Sequence, residues 1–451
     1  MMSRVKVHFV GVAGTGMSAL AQLRALAGDV VTGSDRLADQ DGLGSEGARL
    51  KTAGISLFPQ DGSGVARDTA RVVVSTAIEK DNRDLARAAE LGIPVVHRAD
   101  ELAELAGRHR TVAIAGTSGK STVTAMTFHV LQAAGRSPSL AAGANLLSLR
   151  RRGLVGNAWK GESDLLVMEA DESDGTLTRY SAAVGVLLNI SKDHKELAEL
   201  ESLFRRFQER SERFVVNADA PALAGFRKGA RTYGFAAGEL RGEGLELTRD
   251  GSRFRVGAAS VSVPAPGRHN AENALAAIAA CEALGVAVAD AAAALATFEG
   301  VGRRFEILGS ARGIEVVDDF AHNPEKVRAV LAAARLRARR VLAVFQLHGF
   351  APARFLKDEF LAAFSESLGP DDRLWLPDIY YVGGTAAKDV SAADYASALT
   401  ARGIRAANEP ARAEIARQIA AEAKPGDLVL VMGARDPSLS AFAADVLAAL
   451  R

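Results

Sequence analysis

The run Ala113-Ile-Ala-Gly-Thr-Ser-Gly-Lys-Ser-Thr-Val-Thr-Ala-Met126 concentrates the residues best suited to chemistry. It reads as a short apolar strand, a tight Gly116-Thr117-Ser118-Gly119 turn, and a helix opened by Lys120, Ser121 and Thr122. Backbone N–H groups at such a turn, with the positive end of the helix, cradle phosphate oxygens. Lys120 adds a mobile cation toward the terminal phosphates, and the Ser121 hydroxyl suits Mg²⁺. Ile114 stands where the longer G-x-x-x-x-G-K-[ST] loop has its first glycine, so the loop is a shortened form. The reading is a nucleoside triphosphate site.

Two further apolar runs end in polar clusters. Val167-Met-Glu-Ala-Asp-Glu-Ser-Asp174 places carboxylates after a strand, at the sheet edge where a loop-bound ligand sits. Glu169, first off the strand, is the candidate Mg²⁺ ligand, since that ion takes carboxylate and hydroxyl oxygens with waters and phosphates. Asp171, Glu172 and Asp174 can instead be read as a solvated acidic turn, the usual fate of a charge run. Val184–Leu188 is followed by Asn189-Ile-Ser-Lys-Asp-His194, and His194 is a second candidate ligand. Pro266-Gly-Arg-His-Asn-Ala-Glu-Asn-Ala274 opens a helix, with Asn270 as its N-cap or as a reader of a base edge. Adjacent arginines in Gly302-Arg-Arg-Phe305 suit a polyphosphate, and Asp318-Asp-Phe-Ala-His-Asn-Pro324 puts carboxylates and a histidine at another strand end.

Near the N-terminus, Gly11-Val-Ala-Gly-Thr-Gly16 lies between a strand and a helix, with Asp35 at the end of the next strand. That context suits a Rossmann-type nucleotide site. Ala13 occupies the second glycine position, where a pyrophosphate must approach closely, with Gly14 beside it. Asp35 is either a ligand contact or a turn-former.

These residues need three α/β blocks to position them. Strands are expected at Val5–Val10, Val30–Thr32, Ile55–Phe58, Arg71–Ser75 and Ile93–Val96, with helices between, in a domain spanning 1–107. A central domain, 108–298, carries strands Leu165–Met168 and Val184–Leu188, a helix Glu196–Arg213, and a strand Phe214–Val216. A Gly-rich antiparallel patch over 228–265 follows, then helices Ala271–Leu284 and Val288–Thr297. A third domain, 299–451, alternates strands at Ile314–Val317, Arg340–Phe345, Arg373–Leu376 and Leu428–Val431 with helices.

Composition excludes several classes. With 451 residues, 48% hydrophobic and 24% charged, the chain has an ordinary globular balance. No apolar run approaches a membrane span, and the first residues read directly into a strand with no signal-peptide core. A formal net charge of +1 gives no global pull toward nucleic acid or anionic lipid. The single cysteine, Cys281, sits in an apolar helical stretch and suits a reducing cytoplasm.

Taken together, the residues resemble the Mur ligases, the ATP-dependent amide-forming enzymes of the peptidoglycan stem peptide. The matching features, in the family's order, are Gly116-Thr-Ser-Gly-Lys-Ser121, Glu169-Ala-Asp-Glu-Ser-Asp174, Asn189 with Asp193-His194, His269-Asn270 with Asn273-Ala274, Arg303-Arg-Phe305 and Asp318-Asp-Phe-Ala-His322. Val7-His-Phe-Val-Gly-Val-Ala-Gly-Thr-Gly-Met-Ser18 and Ser75-Thr-Ala-Ile78 are similar to the branch that ligates L-alanine to UDP-N-acetylmuramate, to which murein-tripeptide recycling ligases also belong. The resemblance implies an N-terminal Rossmann-like domain for the UDP-sugar, a central P-loop ATPase-like domain, and a C-terminal Rossmann-like domain for the amino acid. It implies ATP and Mg²⁺, with Lys120, Glu169 and His194 as catalytic residues and Ser121, Glu169 and His194 on the metal. ATP contacts would include Gly116–Thr122, Asn270, Asn273, Arg304 and Asp319, the last two brought in by closure of the third domain. The UDP-sugar would meet Gly11, Ala13, Gly14, Thr15, Gly16, Met17, Asp35 and Ser75, and the amino acid His322, His348 and Arg354. Implied partners are small molecules (ATP, the UDP-sugar, an amino acid or peptide), in a cytoplasmic monomer or homodimer, with no nucleic acid or membrane. Three departures stand out. Ser118 replaces a usual histidine, Phe320-Ala-His-Asn323 replaces Tyr-Gly-His-His, and Gly349 and Pro352 replace two of three arginines near the acceptor. A dehydrogenase using the first turn for a nicotinamide cofactor would leave the second turn and its carboxylates unexplained.

Overall fold

The computed structural model describes residues 4–37, 43–172, 176–191, 197–381, 383 and 387–451. The fold is α/β, with three sheets that are mostly parallel. The chain forms two compact units: Met1–Gly244, Phe254–Ser262 and Glu272–Val301 in one, Leu245–Arg253, Val263–Ala271 and Gly302–Arg451 in the other.

The first sheet contains β1 (Lys6–Val10), β2 (Val30–Ser34), β3 (Ile55–Phe58), β4 (Arg71–Val74) and β5 (Val95–His97), in the order β3-β2-β1-β4-β5. Every neighbouring pair is parallel. Val7, Phe9 and Val73 are fully buried, as expected for strands covered on both faces. The chain winds outward from β1 to β3 and then crosses to the other side of β1 for β4. That reversal makes β1/β4 the switch point, and ligands bind at such crevices beyond the strands' carboxyl ends.

The second sheet contains β6 (Arg110–Ala115), β7 (Ser139–Ala141), β8 (Ala158–Trp159), β9 (Leu165–Glu169), β10 (Ala182–Leu187), β11 (Ser211–Asn217), β12 (Arg231–Gly234), β13 (Leu240–Thr248), β14 (Gly251–Val256) and β15 (Ala259–Val263). Its order is β15-β14-β13-β12-β11-β10-β6-β9-β7-β8. Central β6 pairs in parallel with β9 and β10, so the carboxyl ends of all three meet at one edge. Helix Lys120–Ala133 leaves β6 after Gly119, and Ser121 through Phe128 are all buried. Two expectations are corrected here. The helix expected to reach residue 213 spans Leu197–Glu209, and Ser211–Arg213 instead pair with β10. The patch over 228–265 begins with a parallel strand, since β12 lies parallel to both β11 and β13.

The third sheet contains β16 (Glu306–Ala311), β17 (Ile314–Asp319), β18 (Val341–Gln346), β19 (Arg373–Leu376), β20 (Ala406–Asn408) and β21 (Leu428–Gly433). Its order is β16-β17-β21-β18-β19-β20, antiparallel only at β16–β17. Apolar residues alternate between two cores along the inner strands. Val341, Ala343 and Phe345 pack with helices Pro324–Arg335 and Lys357–Ser367, while Leu342 and Val344 pack with helices Arg412–Glu422 and Leu439–Ala449. No helix among the described residues is long and apolar enough to cross a membrane.

Candidate active site

The Gly116–Gly119 turn, the candidate phosphate loop, joins β6 to the Lys120 helix and needs two glycines in positive-φ backbone. Gly116 has φ +133°, and a Cβ there would lie 3.1 Å from the Asn189 backbone. Gly119 has φ +89°, and a Cβ there would come within 2.6 Å of Asn273 Oδ1. The loop is tied to the segment after β10. Asn189 accepts from Ser118 N at 2.8 Å and donates to Ser118 O at 3.0 Å. Ser191 N donates to Thr117 Oγ1 at 3.0 Å, and that hydroxyl donates to Ser191 O at 3.2 Å. Asn189 is thus a loop clamp, a role its motif alone does not assign. The signal was its place directly after a buried strand, with an amide able to donate and accept at once.

Lys120 donates to Gly116 O at 2.8 Å and to Glu172 Oε2 at 2.7 Å. Burial alone would lower the lysine pKa, but the carboxylates of Glu172, Asp171 and Glu169 outweigh it and raise the pKa. The ammonium is therefore firmly charged. Glu172 is only 9% exposed, so at this residue the solvated-turn reading fails. Glu169 ends β9 and accepts from Gly143 N. A Cβ on Gly143 would stand 2.9 Å from its other oxygen, so that position must stay small. Ser121 and Thr122 are buried at the start of the helix. Asp174, Asp193 and His194 lie outside the described residues. Asn270 is not the N-cap. It is the third residue of helix Arg268–Glu282 and donates through Nδ2 to Pro266 O at 2.8 Å.

At the first switch point, Gly11 N and Val12 N donate to Ser34 O at 2.8 and 3.0 Å. Asp35 accepts from Ala13 N at 3.0 Å and from Leu37 N at 3.1 Å, so both its oxygens hold the turn. Gly14 and Thr15 are exposed, Met17 belongs to the core, and Ser75 follows β4 at the same edge. Arg98 was not foreseen. Its Nη1 would stand 2.8 Å from a Cβ on Gly16, and its guanidinium is 4.0 Å from Asp171.

At the third sheet's edge, Asp319 accepts from Phe305 N at 2.6 Å and from Ala321 N at 2.7 Å. Burial pushes its carboxyl up to about 6, against the opposing pull of Arg304. The guanidinium groups of Arg303 and Arg304 lie over the Phe320 ring at 4.9 and 4.7 Å. His322 and His348 are brought together, with ring centroids 5.7 Å apart. Burial and then the Lys326 cation hold the His322 pKa well below its usual value, so the ring is neutral. Lys326 Nζ sits 3.3 Å from its Nε2. Arg354 is instead occupied by Asp389 at 2.8 Å.

A hydroxyl and a carboxylate, Ser121 and Glu169, are oxygen donors of the type Mg²⁺ takes. Among the described residues no group of three or more His, Cys, Asp or Glu could hold a metal.

Comparison with known proteins covers nearly the whole chain. Residues 6–110 match the Mur ligase family, catalytic domain; 114–281 the Mur ligase middle domain; and 303–435 the Mur ligase, glutamate ligase domain. UDP-N-acetylmuramate–L-alanine ligase of Pelotomaculum thermopropionicum is 36% identical over 450 residues, covering 95% of each chain. The enzyme of the same name from Agrobacterium fabrum is 36% identical over 454 residues, covering 95% of this chain and 93% of its own. The solved UDP-N-acetylmuramate-alanine ligase MurC of Thermotoga maritima superposes with a TM-score of 0.82 at 26% identity, covering 99% of each chain. A murein peptide ligase from Psychrobacter arcticus shares the fold, with a TM-score of 0.70 at 22% identity and coverage of 99% and 98%.

Proposed function

The chain belongs to the Mur ligase family, and from that premise we propose that it is an ATP-dependent ligase of peptidoglycan precursor synthesis, joining an amino acid to the carboxylate of UDP-N-acetylmuramate. The observation that carries this reading is the phosphate loop itself. A charged lysine is anchored on Gly116 O, with Glu169 at the end of the adjoining strand. The substrate carboxylate attacks the γ-phosphate of ATP, releasing ADP and leaving an acyl phosphate. The amine then attacks the acyl carbon, and the tetrahedral intermediate expels phosphate. Two anions meet in the first step, so the chain must neutralise charge and fix geometry.

Lys120 supplies the mobile cation, exchanging Glu172 for phosphate oxygens, while the Asn189 clamp holds the loop's N–H groups in place. By resemblance, the ATP contacts are Gly116 through Thr122, Asn270, Asn273, Arg304 and Asp319. Mg²⁺ held by Ser121 and Glu169, with His194 as a further ligand by resemblance, would offset phosphate charge. The turn Gly11–Gly16 with Met17 and Ser75 receives the UDP-sugar, and Asp35 contributes by fixing the turn. His322 and His348 border the amino-acid site. The domain limits in this reading are 1–107, 108–298 and 299–451. The reading carries a cytoplasmic location, a monomer or homodimer, and no nucleic-acid or membrane partner.

A second acceptor is favoured by one observation. In the segment Gln346–Arg354, Gly349 and Pro352 carry no charge, and Arg354 is tied to Asp389. A peptide amine, as in tripeptide recycling, is therefore the alternative to L-alanine. Incubation with Mg-ATP, UDP-N-acetylmuramate and a panel of amino acids and murein tripeptide tests both. Acceptor-dependent phosphate release supports ligation and names the acceptor, while its absence across the panel overturns the reading.

A further inference from the structure

The loop after β21 holds an exposed arginine in backbone that glycine usually occupies. Arg435 has φ +63°. Asp436 N donates to Ala434 O at 2.8 Å across it, closing a three-residue turn around a positive-φ residue, a rare and strained arrangement. Such strain persists only where the surroundings over-determine it. Here they do so from both sides. Arg303 Nη2 donates to Gly433 O at 2.7 Å, and Asp436 is held by Arg412 and by Ser438 N at 2.9 Å. Arg412 also donates to Gln346 Oε1 at 2.6 Å, linking the turn to the end of β18.

Its place in the sheet gives this turn a purpose. β21 lies between β17 and β18. The helix after β17, Pro324–Arg335, packs on one face of the sheet, and the helix after β21, Leu439–Ala449, on the other. The carboxyl end of β21 is therefore the switch point of the third sheet, where open α/β sheets bind ligands. Asp319 ends β17 on one side and His348 follows β18 on the other. The ends flanking this point thus carry groups already assigned to nucleotide and acceptor. Among the described residues the Arg435 side chain makes no hydrogen bond or ion pair, so its guanidinium is available. A guanidinium matches a carboxylate through two parallel N–H···O bonds.

We propose that Arg435 binds the carboxylate of the incoming amino acid and so determines acceptor choice. The proposal rests on the ligase reading. Its strain makes a discriminating variant available. Arg435→Gly relieves the backbone and removes the cation, whereas a merely structural role would leave kinetics alone. We expect a melting temperature equal to or above that of the parent. The KM for the acceptor should rise about ten- to a hundredfold, the range of a lost hydrogen bond between charged groups. The KM values for ATP and UDP-N-acetylmuramate should stay within about twofold. Arg435→Lys should recover part of the loss.

The assay uses the full-length enzyme with L-alanine and L-alaninamide, or with whichever panel acceptor is turned over and its amide. The parent should prefer the acid, and Arg435→Gly should lose that preference. An unchanged acid-to-amide ratio in an active variant, or a rise confined to the KM for ATP, overturns the Arg435 proposal and leaves the ligase reading intact. If the parent turns over no acceptor, both fall.

Discussion

The Lys120 ammonium is 2.7 Å from Glu172 Oε2, so the cation assigned to the transferring phosphate is held by a carboxylate of its own chain. The pair is mostly shielded from water, with side-chain exposures of 16% and 12%. In the proposed reaction a phosphate group entering the loop would take over the lysine from Glu172, coupling binding and release through that exchange.

Replacement of the carboxylate separates the two states. Glu172→Gln removes the carboxylate in direct contact with the buried ammonium and should destabilise the nucleotide-free protein by about 2–3 kcal/mol. With ATP bound, phosphate supplies the missing charge, so the rise in melting temperature on adding ATP should be larger in the variant than in the parent. Equal rises would show that phosphate does not take the place of Glu172.

The Asn189 clamp makes a separable prediction. Asn189→Ala removes the acceptor for Ser118 N and the donor to Ser118 O, freeing the loop while leaving β10 intact. Calorimetry should report ATP affinity down about tenfold, the worth of one or two hydrogen bonds, with UDP-N-acetylmuramate affinity unchanged. A parallel loss of both affinities would mean that the residue supports the unit as a whole.

Glu169 is tested through its metal dependence. Glu169→Gln keeps an oxygen able to accept from Gly143 N, so the local backbone should hold. The Mg²⁺ concentration for half-maximal phosphate release should rise severalfold. The same concentration in both proteins would place the ion elsewhere.

Much of this site was legible because glycines and strand ends are local signals. Gly116, Gly119 and the apolar strands around them mark the tight turn between β6 and the Lys120 helix without any tertiary information. What escaped depends on partners distant in sequence. Glu172 looks like a solvated acid until Lys120, 52 residues earlier, is brought against it. Asp35 offers two free oxygens in the sequence, yet Ala13 N and Leu37 N take them. Asn270 has the side chain of a cap, but the helix begins two residues before it. Ser211-Glu212-Arg213 read as the end of a helix, and pairing with Ala182 and Val184 draws the segment into β11.

His269 gives a pH dependence. Burial lowers its pKa from 6.5 to about 4, so the folded protein keeps the ring neutral where the unfolded chain takes up a proton. Its contribution to stability is present above about pH 6.5 and is lost as pH falls toward 4. Chemical denaturation of the parent and of His269→Gln across that range should show the parent losing ground to the variant as acid is added. A constant difference would mean that His269 does not titrate differently on unfolding.

Lys120→Ala tests the central claim most directly. The measurement is phosphate release with Mg-ATP, UDP-N-acetylmuramate and the accepted amine, made on a variant whose circular dichroism matches the parent's. The account predicts a loss exceeding about a hundredfold, the order found when one key electrostatic stabiliser of a transition state is removed. Turnover near that of the parent, in a folded Lys120→Ala protein, would contradict the assignment of the phosphate loop and the ligase mechanism built on it.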